Sequence, residues 1–173
     1  WSSKGYLELG MPLSKITSAV MPTGSVLQVV SNTSTDVAVQ DQTTYADIPF
    51  ATATITPTST SSKILIQYSF GMMGGTSTQV GCLFKLLRNS TEVGQGSGAD
   101  DINVFNHHYY ASTSFYAPRS HAFIASPNST SALTYKMQWK VITAGAVTWY
   151  INRRGSNNYS RSSSTFYLME IAG

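Results

Sequence analysis

Apolar and polar side chains alternate with a period of two along most of the chain from about residue 24 onward. The clearest example is 133–141 (LTYKMQWKV), and similar series run through 64–70 and 147–151. Successive side chains of a β-strand point to opposite faces, so this alternation predicts strands with one buried and one wet face. Further strands are predicted at 24–31, 50–56, 81–88, 103–110 and 164–172.

The segments between these predicted strands are rich in Pro, Gly, Asn and Ser, the residues that tight turns require. Examples are TPTSTSSK, SPNSTS and RRGSNN. Few windows show a helical period, and strands follow one another without intervening helices. The sequence therefore predicts an all-β fold, an antiparallel β-sandwich of the jelly-roll type, and it argues against a parallel α/β fold.

Residues 1–23 differ from the rest, with two prolines, two glycines and no sustained alternation. We predict a connector or stem lead-in over 1–23, with a short helix around 14–20 as an option, and a β-sandwich head domain over 24–173. The connector is too apolar for a free linker, so we expect it to pack on a neighbour such as another copy of the chain. The start at Trp1 rather than Met suggests a fragment, a processed product or part of a longer chain with domains upstream.

Several predicted strands are apolar on both faces. A sandwich needs only one buried face per sheet, so the surplus predicts an interface between copies of the chain. The alternative is that extra segments of the same chain cover it. The residues concerned are Leu65, Leu83, Leu87, Tyr167, Met169 and Ile171.

The surface must be covered largely by hydroxyls and amides, because only 11% of residues are charged and roughly a quarter are Ser or Thr. Net charge is +3, but the basic residues are scattered apart from Arg153, Arg154 and Arg161. Nucleic-acid binders concentrate such residues in one stripe, so no nucleic-acid partner is predicted. No apolar run is long enough to span a bilayer, and the single cysteine, Cys82, is predicted to be buried and inert.

Three blocks occur in a characteristic order: 24–28 (GSVLQ), 57–66 (PTSTSSKILI) and 169–173 (MEIAG). In this order the chain resembles, over residues 21–173, the C-terminal domain of tail-fibre and related virion proteins of bacteriophages, especially marine phages. The resemblance implies location in the virion and a homotrimeric β-sandwich head at the distal end of a fibre. It also implies that the N-terminal segment joins the head to other virion proteins.

The first candidate ligand site is the segment GADDINVFNHHYYASTSFY, which combines carboxylates, amides and aromatic rings suited to a glycan. In a strand, residues 105, 107 and 109 would share one face and residues 106, 108 and 110 the other. The alternative is that one series is core and the other ordinary surface. The candidate residues are Asp100, Asp101, Asn106, His108, Tyr109 and Tyr110.

The second candidate is the loop NRRGSNNYSR, which lies between two predicted strands. Loops on a rigid sandwich carry much of molecular recognition, and Arg forks suit an anionic sugar or a phosphate. The alternative is a solvated hairpin tip. The candidate residues are Arg153, Arg154, Asn157, Asn158, Tyr159 and Arg161.

Neither metal binding nor catalysis is predicted. Neighbouring histidines of one strand, His107 and His108, diverge and cannot chelate one ion within a chain, although a threefold axis could gather three copies. Asp100 and Asp101 lack the spacing of an EF-hand, so a solvated turn is preferred. No motif brings two carboxylates together as a glycosidase requires, and no nucleophile elbow or phosphate loop occurs. We therefore expect no cofactor and no enzymatic activity.

The function predicted from these features is adhesion to a bacterial surface glycan or outer-membrane component by the head domain of a virion fibre. The alternative is a purely structural virion protein, a capsid decoration or head fibre that clamps other subunits. A secreted trimeric ligand of the tumour-necrosis-factor or complement type would need a similar fold but draws nothing from the three blocks. A depolymerase would need clustered carboxylates.

Overall fold

The computed structural model describes residues 21–76, 80–97, 105–110, 116–143, 147–154 and 160–173, with backbone only at 80 and 107–110. These residues form β-strands and no helix, so none of them belongs to a helix that could cross a bilayer. The predicted all-β class is confirmed. The strands are β1 (Val26–Ser34), β2 (Ala38–Gln40), β3 (Ala46–Ile55), β4 (Lys63–Gly75), β5 (Val80–Arg88), β6 (Thr91–Val93), β7 (Asn106–Tyr110), β8 (Ala117–Ala125), β9 (Leu133–Val141), β10 (Trp149–Ile151) and β11 (Ser164–Ile171).

The first sheet, sheet A, is built around the long strand β4. Met73 pairs with Ala117 of β8 on one side and with Ile151 of β10 on the other. Strand β11 pairs with residues 63–69 of β4 on the same side as β10, and β8 pairs with residues 64–73 of β4 on the opposite side. Because β1 pairs with β11 and β2 with β10, sheet A has four rows, in the order β1/β2, β11/β10, β4 and β8.

The second sheet, sheet B, also has four rows. Strand β9 lies between β3 and β5, and β6 and β7 share the other edge of β5. All pairs in both sheets are antiparallel. The chain passes between the sheets after β2, β3, β4, β7, β8 and β9. Two four-row antiparallel sheets connected in this way form a jelly roll, which confirms the predicted sandwich.

The core lies between the sheets and is rich in aromatic rings. In β9 the apolar series from Leu133 to Val141 is buried, and in β4 the series from Ile64 to Phe70 is buried, as the alternation predicted. Across the interior, the ring centroids of Phe70 and Phe84 are 6.0 Å apart. Burying each such side chain contributes about 2–3 kcal/mol to folding.

Three strands were not predicted from the sequence: β2, β6 and β8. Strand β8 forms an outer row of sheet A, and within it only Ala125 is fully buried. It also contains Pro118 and Arg119, residue types that edge strands tolerate and central strands avoid. An edge row therefore lacks the strict alternation by which the central strands were identified.

Candidate functional site

An apolar stripe crosses the outer face of sheet A, the face turned away from the core. The strand registers place Val29, Met169, Leu65 and Ile124 side by side across the four rows. Val29 is 54% exposed and Ile124 is 55% exposed, and Leu65 and Met169 are half-buried. We call these four residues the apolar stripe. It includes two of the residues that were predicted to form a surplus apolar face.

The apolar stripe lies near the proximal end of the sandwich, which we define as the end where β1 begins and β11 finishes. The neighbouring cross-strand pair toward that end, Val26 and Ile171, is apolar as well. In the other direction the face becomes polar, and the hydroxyls of Thr33 and Thr165 lie 3.0 Å apart. Over the described outer positions of β1, β11, β4 and β8, only Lys63 is charged.

A cluster of arginine and tyrosine side chains occupies the same face toward the distal end. Tyr150 faces outward because its two neighbours in β10 are buried. The Cζ atom of Arg153 lies 4.0 Å from the ring centroid of Tyr150, and that of Arg154 lies 5.0 Å from the ring of Tyr116. We call Arg153, Arg154, Arg161, Tyr150 and Tyr116 the Arg–Tyr platform.

The Tyr116 ring can reach its position because residue 74 of β4 has no side chain. A Cβ atom added at Gly74 would overlap the Tyr116 ring. Gly74 pairs with Tyr150 in the sheet, so the two tyrosines of the platform stand on neighbouring rows. Gly74 thus leaves the space that the Tyr116 ring occupies, and the guanidinium of Arg154 packs on that ring.

The buried side chain of Asn152 anchors the platform to the sheet. Its Nδ2 donates hydrogen bonds to the carbonyls of Ser34 (3.0 Å) and Asp36 (2.9 Å), and its Oδ1 accepts one from the Ser164 hydroxyl at 2.6 Å. Its backbone N–H donates to the carbonyl of Met72 at 2.8 Å. Asn152 has a φ of 68°, which Asn tolerates better than most residues. It ties the chain after β10 to sheet segments on both sides.

Among the described residues, no carboxylate forms an ion pair with an arginine of the platform. Arg153 and Arg161 are opposite each other in an antiparallel bridge. The ion pairs among described residues join Lys85 to Glu92 and Lys136 to Asp47, all at sheet B. Like charges directly opposite each other repel, so the opposition of Arg153 and Arg161 is electrostatically unfavourable within the chain itself.

The second predicted ligand site is therefore partly brought together by the structure. Arg153 and Arg161 lie opposite each other in a backbone bridge and Arg154 follows Arg153, whereas Asn157, Asn158 and Tyr159 lie outside the described residues. Sequence reasoning missed Tyr150 and Tyr116. The alternation of 147–151 could have identified Tyr150, since it falls between two inward positions and three residues before Arg153.

The first predicted site is described only in part. Asp100 and Asp101 lie outside the described residues, and Asn106 donates its amide to the hydroxyl of Tyr68 at 2.8 Å. Burial raises the pKa of that tyrosine, which is core-facing. Asn106 thus has a structural partner in the sandwich, and we do not include it in the proposed site. In the backbone register His108 pairs with Cys82, Tyr109 with Gly81 and Tyr110 with Val80.

Two side chains that could be reactive, Cys82 and Asp47, are buried or engaged in hydrogen bonds. Cys82 is fully buried, as predicted, and burial raises the pKa of its thiol. The Asp47 carboxylate accepts hydrogen bonds from Gln138 and Lys136, and their effect holds its pKa below the ordinary value. No three His, Cys, Asp or Glu residues of the described ranges converge to hold a metal ion.

The proximal end contains a cavity of about 370 Å³, lined mainly by hydroxyl groups from 58–62 and by the backbone near Gly173. Beside it the buried Glu170 accepts hydrogen bonds from Thr58 and Ser62. Met21 also lines the cavity, so the chain reaches the sandwich here. Met21 and Gly173 therefore both lie at the proximal end of the sandwich. The platform lies at the opposite end of sheet A.

A scan against models of known protein families gives no match to this chain, and a search of curated proteins also gives none. Function must therefore be argued from the fold, from the apolar stripe and from the Arg–Tyr platform.

Proposed function

We propose that this chain is the head domain of a bacteriophage virion fibre, in the first instance a tail fibre. The domain attaches the particle to the bacterial cell surface without catalysis, and its receptor is a glycan. The resemblance of three ordered sequence blocks supports the virion assignment. The observation that supports adhesion best is the Arg–Tyr platform.

The platform supports glycan binding because it combines ring faces with forked hydrogen-bond donors. Saccharides offer flat apolar ring faces and rows of hydroxyls, which aromatic side chains and guanidinium groups match. Tyr and Arg are also among the residues enriched at binding hot spots. Loops on a rigid sandwich are the common place for such recognition.

The position of the platform fits an attachment site at the free end of a fibre. Along β4, the separation between Lys63 at the proximal end and Gly74 under the platform is roughly 35 Å at about 3.3 Å per residue. The chain reaches the sandwich at the proximal end. If the fibre stem is attached at the proximal end, the platform at the distal end stays accessible to a cell surface.

We further propose that the domain is a homotrimer whose copies pack through the apolar stripe. An exposed apolar surface that crosses a whole sheet is typical of an interaction site. Because Lys63 is the only charged residue at the described outer positions of β1, β11, β4 and β8, copies of the chain can approach at the apolar stripe without strong like-charge repulsion. Three heads on one fibre multiply weak receptor contacts by avidity.

The second candidate function is purely structural, a capsid decoration or head-fibre protein that clamps other virion subunits. The apolar stripe is the observation that favours it, because such a surface suits another virion protein as well as a second copy. In that case the platform would have no cell-surface ligand.

Adsorption of the purified chain to cells tests the proposal. The labelled protein is incubated with a panel of bacterial strains of known capsule and lipopolysaccharide type, and bound protein is measured by flow cytometry. We expect saturable binding to a subset of strains and loss of binding in mutants that lack the surface polysaccharide. Heat-denatured protein is the control. Absence of saturable binding to every strain, with immunogold label on the capsid of particles, would favour the structural function.

A further inference from the structure

We infer that the Arg–Tyr platform selects an anionic saccharide, one that carries carboxylate or sulfate groups, over a neutral one. This inference rests on the proposed adhesion function and names the chemical class of its receptor. The side-chain contacts of Arg153 and Arg154 and the backbone bridge between Arg153 and Arg161 support it.

The three arginines are positive charges without an ion-pair partner among the described residues. Arg153 and Arg161 are bridge partners, and Arg154 follows Arg153 directly. Within the described parts of the chain, no carboxylate lies within ion-pair distance of any of them. Holding like charges on opposite positions is unfavourable, and a bound anion would remove that cost.

Among the described residues, Arg153 and Arg154 have few hydrogen-bond partners for their guanidinium donors. The Nε of Arg153 donates to the carbonyl of Arg154 at 3.1 Å. The Nε of Arg154 is buried and has no hydrogen-bond partner among the described residues. A buried donor without an acceptor is costly. The terminal Nη groups of the arginines can donate to the oxygens of an anion, which would also offset the positive charge.

The tyrosine rings hold two of the guanidinium groups in place. Stacking on Tyr150 and Tyr116 restricts the long side chains of Arg153 and Arg154 before any ligand binds. A pre-organised planar fork matches the two oxygens of a carboxylate or sulfate in bidentate fashion, whereas a neutral hydroxyl offers one weaker acceptor. Selection for the anionic sugar follows from this match.

Other cationic side chains do not offer the same arrangement. Two lysines of sheet B, Lys85 and Lys136, are paired with carboxylates. Lys140 shares the ring of Tyr45 with Lys85, and the Lys85 ammonium beside it is already paired with Glu92. The platform is therefore the part of the described surface where positive charge is both concentrated and unpaired.

The test measures binding of defined oligosaccharides to the full chain. Oligogalacturonate carries carboxylates, sulfated dextran carries sulfates, and unmodified dextran of the same length is neutral. We expect the wild-type chain to bind at least one anionic probe about tenfold or more tightly than dextran, since charged bidentate pairs are much stronger than neutral bonds. Comparison of the two anionic arms identifies which group is preferred.

Three variants distinguish bidentate binding by the arginines from attraction by overall positive charge. Arg153→Ala with Arg154→Ala should weaken binding of the preferred probe about tenfold or more. Arg153→Lys with Arg154→Lys keeps both positive charges. It should still weaken binding several-fold, because a lysine cannot form the bidentate fork. Lys63→Gln with Lys140→Gln removes two positive charges elsewhere and should change binding less than about twofold.

Equal binding of dextran and the anionic probes would overturn the inference. So would an equal loss in the Lys63/Lys140 variant, because it would show attraction by net charge alone. Failure of the inference is distinct from failure of adhesion: if the Arg153/Arg154 alanine variant adsorbs to cells like wild type, the domain is an adhesin that uses another surface. If the wild-type chain selects the anionic probe but adsorbs to no cell, the inference stands and the proposed function fails.

Discussion

Gln28 and Glu170 are cross-strand partners in β1 and β11, and the Nε2 of Gln28 donates a hydrogen bond of 2.6 Å to the Glu170 carboxylate. The other carboxylate oxygen accepts hydrogen bonds from the Thr58 backbone, the Thr58 hydroxyl and the Ser62 hydroxyl. A buried carboxylate with neutral donors thus links two strands to the segment before β4. Only the ionised form accepts hydrogen bonds at both oxygens at once.

The stability of the domain should fall in acid because of Glu170. Burial alone would raise the pKa of this carboxyl, but the hydrogen bonds from Ser62, Gln28 and Thr58 outweigh it and hold the pKa below its ordinary 4.5. A depressed pKa in the folded state contributes stability that is present above the unfolded pKa and is lost as the pH falls through the folded pKa. We expect thermal melting of the wild type to show this loss below about pH 4.5.

Glu170→Gln should remove that pH dependence and lower the free energy of unfolding near neutral pH by about 3 kcal/mol. The reason is that the amide nitrogen, a hydrogen-bond donor, replaces a carboxylate oxygen that accepts hydrogen bonds from other donors. Asp36→Asn is the control, since no described residue donates a hydrogen bond to the Asp36 carboxylate. Urea unfolding at several pH values measures both. An unchanged acid profile in Glu170→Gln would show that other groups carry the pH dependence.

Asn152 should stabilise the fold mainly through its side-chain hydrogen bonds, and less through its tolerance of a positive φ. Asn152→Ala removes hydrogen bonds to the carbonyls of Ser34 and Asp36 and to the Ser164 hydroxyl, so we expect a loss of about 3 kcal/mol. Asn128→Ala is a matched control, because Asn128 also has a positive φ, 51°, but is exposed. It should cost about 1 kcal/mol. Equal losses in urea unfolding would contradict the anchoring role.

The sequence predicts the parts of this molecule that depend on local periodicity. The inward series of β4, β9 and β10 follow from alternation, and the Arg-rich loop follows from composition. Glu170 also falls in the inward series of β11 with Phe166 and Leu168, so a charged residue at that position indicates a buried polar contact. Its donors, however, come from residues more than a hundred positions earlier in the chain.

The remaining features depend on long-range register, which no local pattern encodes. Tyr116 and Arg154 meet only because β8 and the chain after β10 both flank β4. The apolar stripe likewise requires the alignment of four strands that are far apart in sequence, and Ile124 in it belongs to a strand that was not predicted. Sequence reasoning therefore identified the arginines of the platform but not the aromatic rings that hold them.

Gly74→Ala should disturb the platform without a change in charge. The added Cβ would overlap the Tyr116 ring, so the ring must move and the contact between Tyr116 and Arg154 is lost. We expect a destabilisation of about 1–3 kcal/mol from overpacking, together with weaker binding of the anionic probe. Gly96→Ala is the control, since a Cβ there meets nothing within 4 Å. Differential scanning fluorimetry and the oligosaccharide assay measure the two effects, and wild-type values in Gly74→Ala would contradict this packing role.

Ile124→Lys should weaken self-association while leaving the fold intact. Ile124 is 55% exposed at the end of the apolar stripe, so a lysine there costs little within one chain but brings like charges together between copies. We expect analytical ultracentrifugation of the wild type at micromolar concentration to give three times the 18.7 kDa of one chain, and Ile124→Lys to give a smaller mass. Ser120→Lys adds the same charge on the same exposed face of β8, in its polar part, and should leave the mass unchanged. A stable wild-type monomer would exclude the trimer, and equal effects of the two lysines would place the interface elsewhere.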